Sequence, residues 1–386
     1  MSNSSVEVTI VGAGPVGLYL GGLLLKKGIT CKVLEKKREV DLHSKSLGIH
    51  PVSLELFDEV GITDLFLNKG LKINRGIAFW NRDQIGEISF EHCPPPYPFI
   101  LALPQWESEK ILEDWVFSLD SKAVIRGAEV TKFELFKEGI ETHFKINGEL
   151  QNIRSEYVIG CDGKSSFVRQ FFDIPFSGKT YDDTYIMGDF SDNTHFNEDA
   201  AVYLHKDGLI ESFPLPNGQR RWVTKTDEYY ANPTVEQLND LVYERLGHSL
   251  LNQENSMMSS FGVQHQLADT FHKDRILLAG DSAHVVSPIG GQGMNLGWIG
   301  ADRCAKAIEH ALNDEENREE FLSSYSSIQK QFARQVGRRA ELNMHLGRKE
   351  SSNLVYKIIL KSVIKTPLSR ILANIFTMRG LGRWPV

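Results

Sequence analysis

The sequence predicts an α/β protein in which a parallel-sheet nucleotide-binding domain is interleaved with a β-sheet domain and followed by C-terminal helices. Three observations predict it. A β-branched run, Val8 to Val11, ends abruptly in a glycine-rich turn from which a helix starts. Two later apolar strands also run into turns that pair glycine with a carboxylate, Gly160 to Gly163 and Gly280 to Asp281. Between these units the hydrophobic period changes to two, as in antiparallel strands with one solvated face.

In the first unit, Gly12-Ala-Gly14-Pro15-Val16-Gly17, Gly12 suits the tight turn and Gly14 lets backbone approach a pyrophosphate. Gly17 lets the following helix lie close on the strand, so that phosphates meet unpaired N–H groups at a helix N-terminus. Leu18 to Leu25 carries the helix, Lys27-Gly28 closes it, and Cys31 to Leu34 forms a second strand ending in Glu35. Glu35 stands 23 positions after Gly12, where a carboxylate accepts both hydroxyls of an adenosine ribose. A glycine-rich turn without a ligand is the alternative; the placement between strand and helix, with Glu35 following, favours the dinucleotide site. After Lys36 a polar link leads to a helix that stops near Gly61. Within the link Lys45 either reaches the cofactor or is simply solvated.

From Ile73 to Phe90 the pattern is short alternating strands, and Cys93-Pro-Pro-Pro-Tyr-Pro98 breaks regular structure. Leu101 to Gln105 returns to the first domain, followed by a helical stretch Glu107 to Leu119 and strands over 123–159 joined by the turn Asn147-Gly148. Asp162 then opens either a nucleotide contact or an ordinary Asp-Gly turn. Residues 179–269 form a second β-rich excursion, an antiparallel sheet interrupted by one helix, Thr234 to Leu246. Its Tyr203, Phe213 and Trp222 line an apolar pocket or are plain core; His205 is expected to have no nearby partner and is assigned no catalytic role. The strand from Arg275 ends in Gly280-Asp281, and Pro288-Ile-Gly290-Gly291-Gln292-Gly293-Met294-Asn295 opens a helix running to about Leu312. A buried Asp281 would take a sugar-like hydroxyl while the bare N–H groups of Gly291 to Gly293 face partial negative charge. The expected division is 1–72, 98–178 and 270–345 for the discontinuous cofactor domain, 73–97 and 179–269 for the substrate domain, and 346–386 for the C-terminal helices.

With 43 basic and 50 acidic residues the chain carries a net charge of −7, which argues against a general nucleic-acid binder. Cys31, Cys93, Cys161 and Cys304 are widely spaced, so reduced thiols, no metal site and a cytoplasmic setting are expected. The apolar first 25 residues lack a basic start and hold five glycines, so they belong to the fold and not to a signal segment.

Taken together, GAGPVG with Glu35, the CDGKSSFVR stretch and GDSAHVVSPIGGQGMNLG resemble the class A flavoprotein monooxygenases, single-component FAD-dependent aromatic hydroxylases typified by p-hydroxybenzoate hydroxylase. The resemblance covers roughly residues 6–345 and implies a Rossmann-type FAD-binding domain with a β-sheet substrate domain. It implies that Gly12, Gly14, Pro15, Val16, Gly17, Glu35 and Lys36 hold the ADP half. Gln105 and Asp162 would touch the cofactor, Gly280 and Asp281 the ribityl chain, and Pro288, Gly291, Gln292, Gly293, Met294 and Asn295 the isoalloxazine, with Lys45, near the cofactor, the candidate contact for NAD(P)H. Pro288 would also border the substrate pocket. The implied activity is hydroxylation of an aromatic or polyketide-like small molecule with NAD(P)H as transient co-substrate and O2 added at the flavin C4a as a hydroperoxide, protected in a dry pocket. Relatives commonly carry an arginine where this chain has Lys45, and an arginine pair after a tyrosine where it has Tyr325-Ser-Ser-Ile-Gln329; lysine keeps the charge but loses the bidentate fork. A flavin-dependent halogenase of this core would carry a WxWxIP stretch, whereas the tryptophans here are isolated. A redox-inactive FAD-binding ligand carrier is the third reading.

The tail from Leu346 carries Arg348, Lys349, Lys357, Lys361, Lys365, Arg370, Arg379 and Arg383 against the acid Glu350. Lys357, Lys361 and Lys365 share a helix face, Val355, Ile359 and Val363 form an apolar stripe, and Thr366-Pro367 caps a further helix. Either these helices pack over the substrate domain or they lie on an anionic membrane surface.

Overall fold

In the computed structural model, residues 5–41, 46–346, 357, 361–362, 366 and 368–379 are described. Among them the strands form two eight-stranded sheets and one of three strands. In the first sheet Ser5–Val11 lies at the centre, parallel to Glu149–Gly160 on one side and to Cys31–Glu35 on the other. Val124–Arg126 and Ile276–Leu278 extend it in parallel. These strands read as continuous apolar runs because helices cover them; Val8, Ile10, Val33, Val158 and Ile159 are wholly buried. Glu129–Phe136 and Gly139–Ile146 add an antiparallel extension, turned at Asn147 and Gly148, both at positive φ as the Asn-Gly pair predicts. The helices Pro15–Lys26, Gln105–Leu119 and Gln292–Asn313 pack beside this sheet, with Tyr19, Phe57 and Trp298 in their common core.

The second sheet runs in the spatial order His284–Val285, Asn255–Ala268, Phe176–Ser191, Gln219–Thr226, Ile210–Leu215, Ala200–Leu204, Arg75–Trp80 and Asp83–Ser89. Its pairs are antiparallel except that Ala200–Leu204 runs parallel to Arg75–Trp80, joining the two β-rich excursions in one layer. One face is covered by the helix Val235–Leu246, which Thr234 and Gln237 cap reciprocally. The other face carries Tyr185, Met187, Leu209, Val223 and Met257 against Ile289 of the glycine-rich loop. The small sheet, Gly48–Ile49, Ile100–Ala102 and Leu71–Ile73, sits at the seam between the large ones.

Of the tail, the helix Leu368–Phe376 is described; its Ala373 is buried and its Phe376 packs beside Phe90 and Cys93. Ile371 is exposed. Val355, Ile359, Val363 and Lys365 lie outside the described residues, while Lys357 pairs with Asp83 of the second sheet at 3.0 Å. Among the described residues no helix is long and apolar enough to cross a membrane.

Candidate active site

The first turn is built by close approach. Gly12 has φ +106°, and a Cβ there would stand 2.5 Å from the carbonyl oxygen of Cys161. A Cβ at Gly17 would collide with the carbonyl oxygen of Gly12, so the helix can lie on the turn only without a side chain at that position. Gly14 is different: its Cβ position has nothing within 4 Å. It caps the helix Pro15–Lys26 in extended geometry with no side-chain hydrogen bond, leaving open space in front of N–H groups that lack helical acceptors. Glu35 is held beside this turn, accepting the Ala13 N–H at 2.8 Å through Oε2 and the Lys37 N–H at 2.8 Å through Oε1. Each oxygen keeps a lone pair for another donor. Lys36, Lys37, Arg38 and Lys145 line a basic cavity of about 590 Å³ next to it.

The second turn meets the first at Cys161, whose N–H donates to the Val11 carbonyl at 2.7 Å. Asp162 Oδ2 accepts the Val168 N–H at 3.1 Å, while the buried Oδ1 has no partner. Burial pushes this carboxyl above its ordinary range, offset by hydrogen bonds from Ser166 and nearby N–H groups. Arg169 ties this turn to the third, donating to the Ser282 carbonyl at 2.9 Å and to the Lys164 carbonyl at 2.7 Å.

At the third turn Gly280 has φ +65°, and a Cβ there would stand 3.1 Å from Val16. Ser282 turns inward to donate to the Gly160 carbonyl at 2.6 Å, whereas Asp281 points outward and is exposed. The expected burial of Asp281 is thereby corrected: in this short 3₁₀ turn the serine takes the inward position. Gly291, at φ +64°, heads the helix Gln292–Asn313. Asn295 knots this helix start to the 48–53 segment: Oδ1 accepts the His50 N–H and the Ser53 hydroxyl, both at 2.8 Å, and Nδ2 donates to the carbonyls of Gly48 and Gly291. His50 is buried behind Gly291, and burial lowers its pKa to about 4, so it stays neutral. Gln292 is fully buried with both polar side-chain atoms unpartnered. Pro288 is exposed at the loop's edge, while Met294 turns into the core.

Gln105 begins its helix half-buried, donating to Glu109 at 2.8 Å. Lys45 lies outside the described residues. Tyr203 and Trp222 correct the expected pocket lining: both lie on the sheet face under the helix Val235–Leu246, with Leu238 and Val242. Phe213 is on the opposite face, near Ile100 and Ala102 of the small sheet. His205 has a partner after all, Asp207 at 3.4 Å. Unforeseen from the sequence are the Asn295 knot and two buried acids on the loop-facing side of the second sheet. Asp189 is engaged by Arg221 in a two-pronged pair at 2.6 and 2.7 Å, and Glu211 is 9% exposed. The readable signal was Glu211 alternating in step with Leu209 and Phe213, an acid between two apolar residues on one side of its strand.

A family model described as "FAD binding domain" matches residues 5–340. The chain is 34% identical over 297 residues to the "uncharacterized aromatic compound monooxygenase YhjG" of Bacillus subtilis (strain 168), covering 75% of this chain and 59% of that protein. It is 28% identical over 305 residues to pentachlorophenol 4-monooxygenase of Sphingobium chlorophenolicum, covering 76% and 56%. The chain thus spans less than two thirds of the length of these curated relatives. Among solved structures, OxyS anhydrotetracycline hydroxylase from Streptomyces rimosus superposes with TM-score 0.82 at 25% identity, covering 99% of this chain and 77% of that one. The p-nitrophenol 4-monooxygenase PnpA from Pseudomonas putida DLL-E4 shares the fold over 99% of this chain and all of its own, with TM-score 0.89 at 19% identity.

Proposed function

The chain belongs to the FAD-binding domain family, and from that premise we propose that it is an FAD-dependent monooxygenase that consumes NAD(P)H and O2 to hydroxylate an aromatic or polyketide-like small molecule. The observation that carries this reading is the convergence of three turns on one groove. Open space at Gly14, the orphaned Oδ1 of Asp162 and the left-handed Gly291 all lie on segments locked together through Val16, Cys161 and Arg169. These residues fit an extended dinucleotide. Glu35 offers its free lone pairs to the ribose, the turn from Gly14 through Pro15 and Val16 to Gly17 takes the pyrophosphate, and Lys36 borders the adenosine end. Gln105, Asp162, Gly280 and Asp281 would hold the middle of the cofactor. Pro288 and the backbone of the run Gly291 to Asn295 would border its ring.

When bound, the flavin supplies the redox and oxygen chemistry. The chain supplies position and a dry wall. Tyr185, Met187, Val223 and Ile289 form one apolar cluster facing the ring site, which excludes water. The start of the Gln292–Asn313 helix, with no acidic residue in its first turn and a neutral His50 behind it, presents positive dipole without a competing charge. Relatives named for aromatic and tetracycline-type compounds support the substrate class, and the matching proteins cited above are named monooxygenases or hydroxylases, which supports hydroxylation over halogenation.

Purified protein should be yellow, with one non-covalent FAD per chain, and should oxidise NAD(P)H faster when a phenol or polyketide acceptor is added. Glu35→Ala should weaken FAD retention. A colourless protein that added FAD does not protect from heat would sink the cofactor assignment; bound FAD with no substrate-stimulated NAD(P)H oxidation would leave the ligand carrier.

A further inference from the structure

The loop-facing side of the second sheet can be read row by row from its register. Tyr185, Lys225 and Leu209 form one row, Met187, Val223, Glu211 and Val202 the next, and Asp189, Arg221 and Phe213 the third. Glu211 therefore sits between Leu209 and Phe213 along its strand and between Val223 and Val202 across it. Leu209, Val223 and Val202 share a cluster with Ile289 of the glycine-rich loop, and Phe213 meets Leu71, Ile100 and Ala102 of the small sheet. Glu211 thus lies on the face of the second sheet that packs against the 288–295 loop and the small sheet, which is where the preceding reading puts the substrate. No hydrogen bond or ion pair reaches its carboxyl among the described residues, and burial alone displaces its titration. A buried acid without partners, with Leu209, Phe213, Val223 and Val202 as its nearest neighbours on the sheet, is a costly arrangement unless a ligand completes it.

The neighbouring cation does not supply that partner. Arg221 is 1% exposed and committed to Asp189 through both prongs of its guanidinium. Lys225, in the other adjacent row, pairs with Asp183 at 3.4 Å. Tyr185 is the remaining titratable side chain on the facing rows. From the opposite side, residues 288–295 contribute no charged group, and the small sheet meets this face with apolar residues, its Lys72 lying over Phe99 instead. The pocket wall is therefore acceptor-rich, with its buried cation already neutralised.

Resting on the proposed hydroxylase reading, we propose that Glu211 is a substrate-binding residue whose carboxyl accepts a hydrogen bond from a hydroxyl group on the substrate ring, so that the enzyme takes phenols and rejects ring carboxylates. The hydroxyl donates and the carboxylate accepts, which fixes the ring's orientation against the flavin and raises electron density at the ring carbons ortho and para to that hydroxyl. A ring carboxylate at the same place would set two anions together in a poorly solvated site.

The test uses the FAD-loaded enzyme and a matched pair of probes, 2-naphthol and 2-naphthoate, with dissociation constants read from the change in flavin absorbance. The wild type should bind the naphthol at least about tenfold more tightly than the naphthoate at a pH of about 8. Glu211→Gln, which keeps shape and removes charge, should bring the two affinities within about threefold while retaining FAD. Should that variant fail to hold FAD, the wild type alone decides. Naphthoate affinity should fall about tenfold as pH rises from about 6 to about 8, a range in which this probe stays ionised, while naphthol affinity should not fall. An unchanged probe ratio in a FAD-bound Glu211→Gln protein, a flat naphthoate profile, or a wild type that binds neither probe would each overturn the assignment. These outcomes leave the hydroxylase reading standing if substrate-stimulated NAD(P)H oxidation persists; loss of FAD binding and NAD(P)H oxidation in the wild type would refute that reading itself.

Discussion

The Cγ2 of Val16 stands 2.5 Å from where a Cβ would lie at Gly297, and the same side chain fills the notch left by Gly280. A residue of the first glycine turn thus keys into the helix that follows the third, and Trp298 Nε1 secures the contact by donating to the Pro15 carbonyl at 3.0 Å. Gly297→Ala should cost about 1–3 kcal/mol by overpacking and weaken FAD retention, because the two halves of the groove are pushed apart. Val16→Ala in the same chain should recover part of that loss. Urea unfolding of the two single variants and the double would show it; strictly additive losses would mean that this contact does not couple the turns.

Asn295 uses both ends of its amide, so Asn295→Ala leaves the His50 N–H, the Ser53 hydroxyl and two carbonyls without their partner at once. A loss of about 3 kcal/mol or more is expected, since each buried group left unmade carries its own desolvation cost. Denaturant titration measures it. A loss below about 1 kcal/mol would mean that water replaces the amide without penalty.

How much of this was legible in the sequence follows the range of the interactions. The strand–turn–helix units were readable because glycine at positive φ, as at Gly12 and Gly280, and the reciprocal cap of Thr234 with Gln237 are local chemistry. The Asn295 knot was not, because its partners His50 and Ser53 lie 245 and 242 positions away. Strand alternation leaves Tyr203, Phe213 and Trp222 together as pocket or core, because a period of two within one strand does not say which faces of different strands coincide or what covers each. That depends on the helix Val235–Leu246 and on Ile289, elements that reach the sheet only in the folded chain. Tyr203→Phe and Trp222→Phe should accordingly change stability and leave substrate affinity in place, whereas Phe213→Ala should weaken binding; equal effects on affinity would reverse that assignment of faces.

Glu211 also makes a prediction about stability. Burial raises its carboxyl from 4.5 to about 7. Below about pH 4.5 the group is protonated in both folded and unfolded chains, and its contribution is fully present. Between 4.5 and about 7 the unfolded chain ionises while the folded one does not, so stability falls as pH rises, levelling off above 7 after a loss of about 3 kcal/mol. His50 and His284, both lowered to about 4 by burial, act oppositely and lose stability as pH falls below their ordinary 6.5. The difference between wild type and Glu211→Gln isolates the acid: the variant should gain up to about 3 kcal/mol relative to wild type between pH values of about 4.5 and 8. A constant difference across that range would show that Glu211 titrates as an exposed carboxylate does.

The described residues of the C-terminal segment pack against the rest of the chain. Ala373 is buried with Phe90 and Cys93, Met378 is buried with Phe332 and Val336, and Thr377 is fully buried. Lys357, one of the basic residues that would face an anionic lipid surface, is drawn to Asp83 instead. A surface helix bound to lipid would leave its apolar side free, whereas here Phe376 packs beside Phe90 and Cys93, although Ile371 stays exposed. Removing residues 366–386 should expose those apolar partners, lower the melting temperature by roughly 5 °C or more, and let water reach the substrate space, so that NAD(P)H is consumed with less hydroxylated product and more hydrogen peroxide. The intact protein should stay in the supernatant with anionic vesicles at low salt. Salt-sensitive sedimentation of the intact chain, together with unchanged melting and coupling in the truncated one, would show that the tail serves a membrane surface and not the pocket.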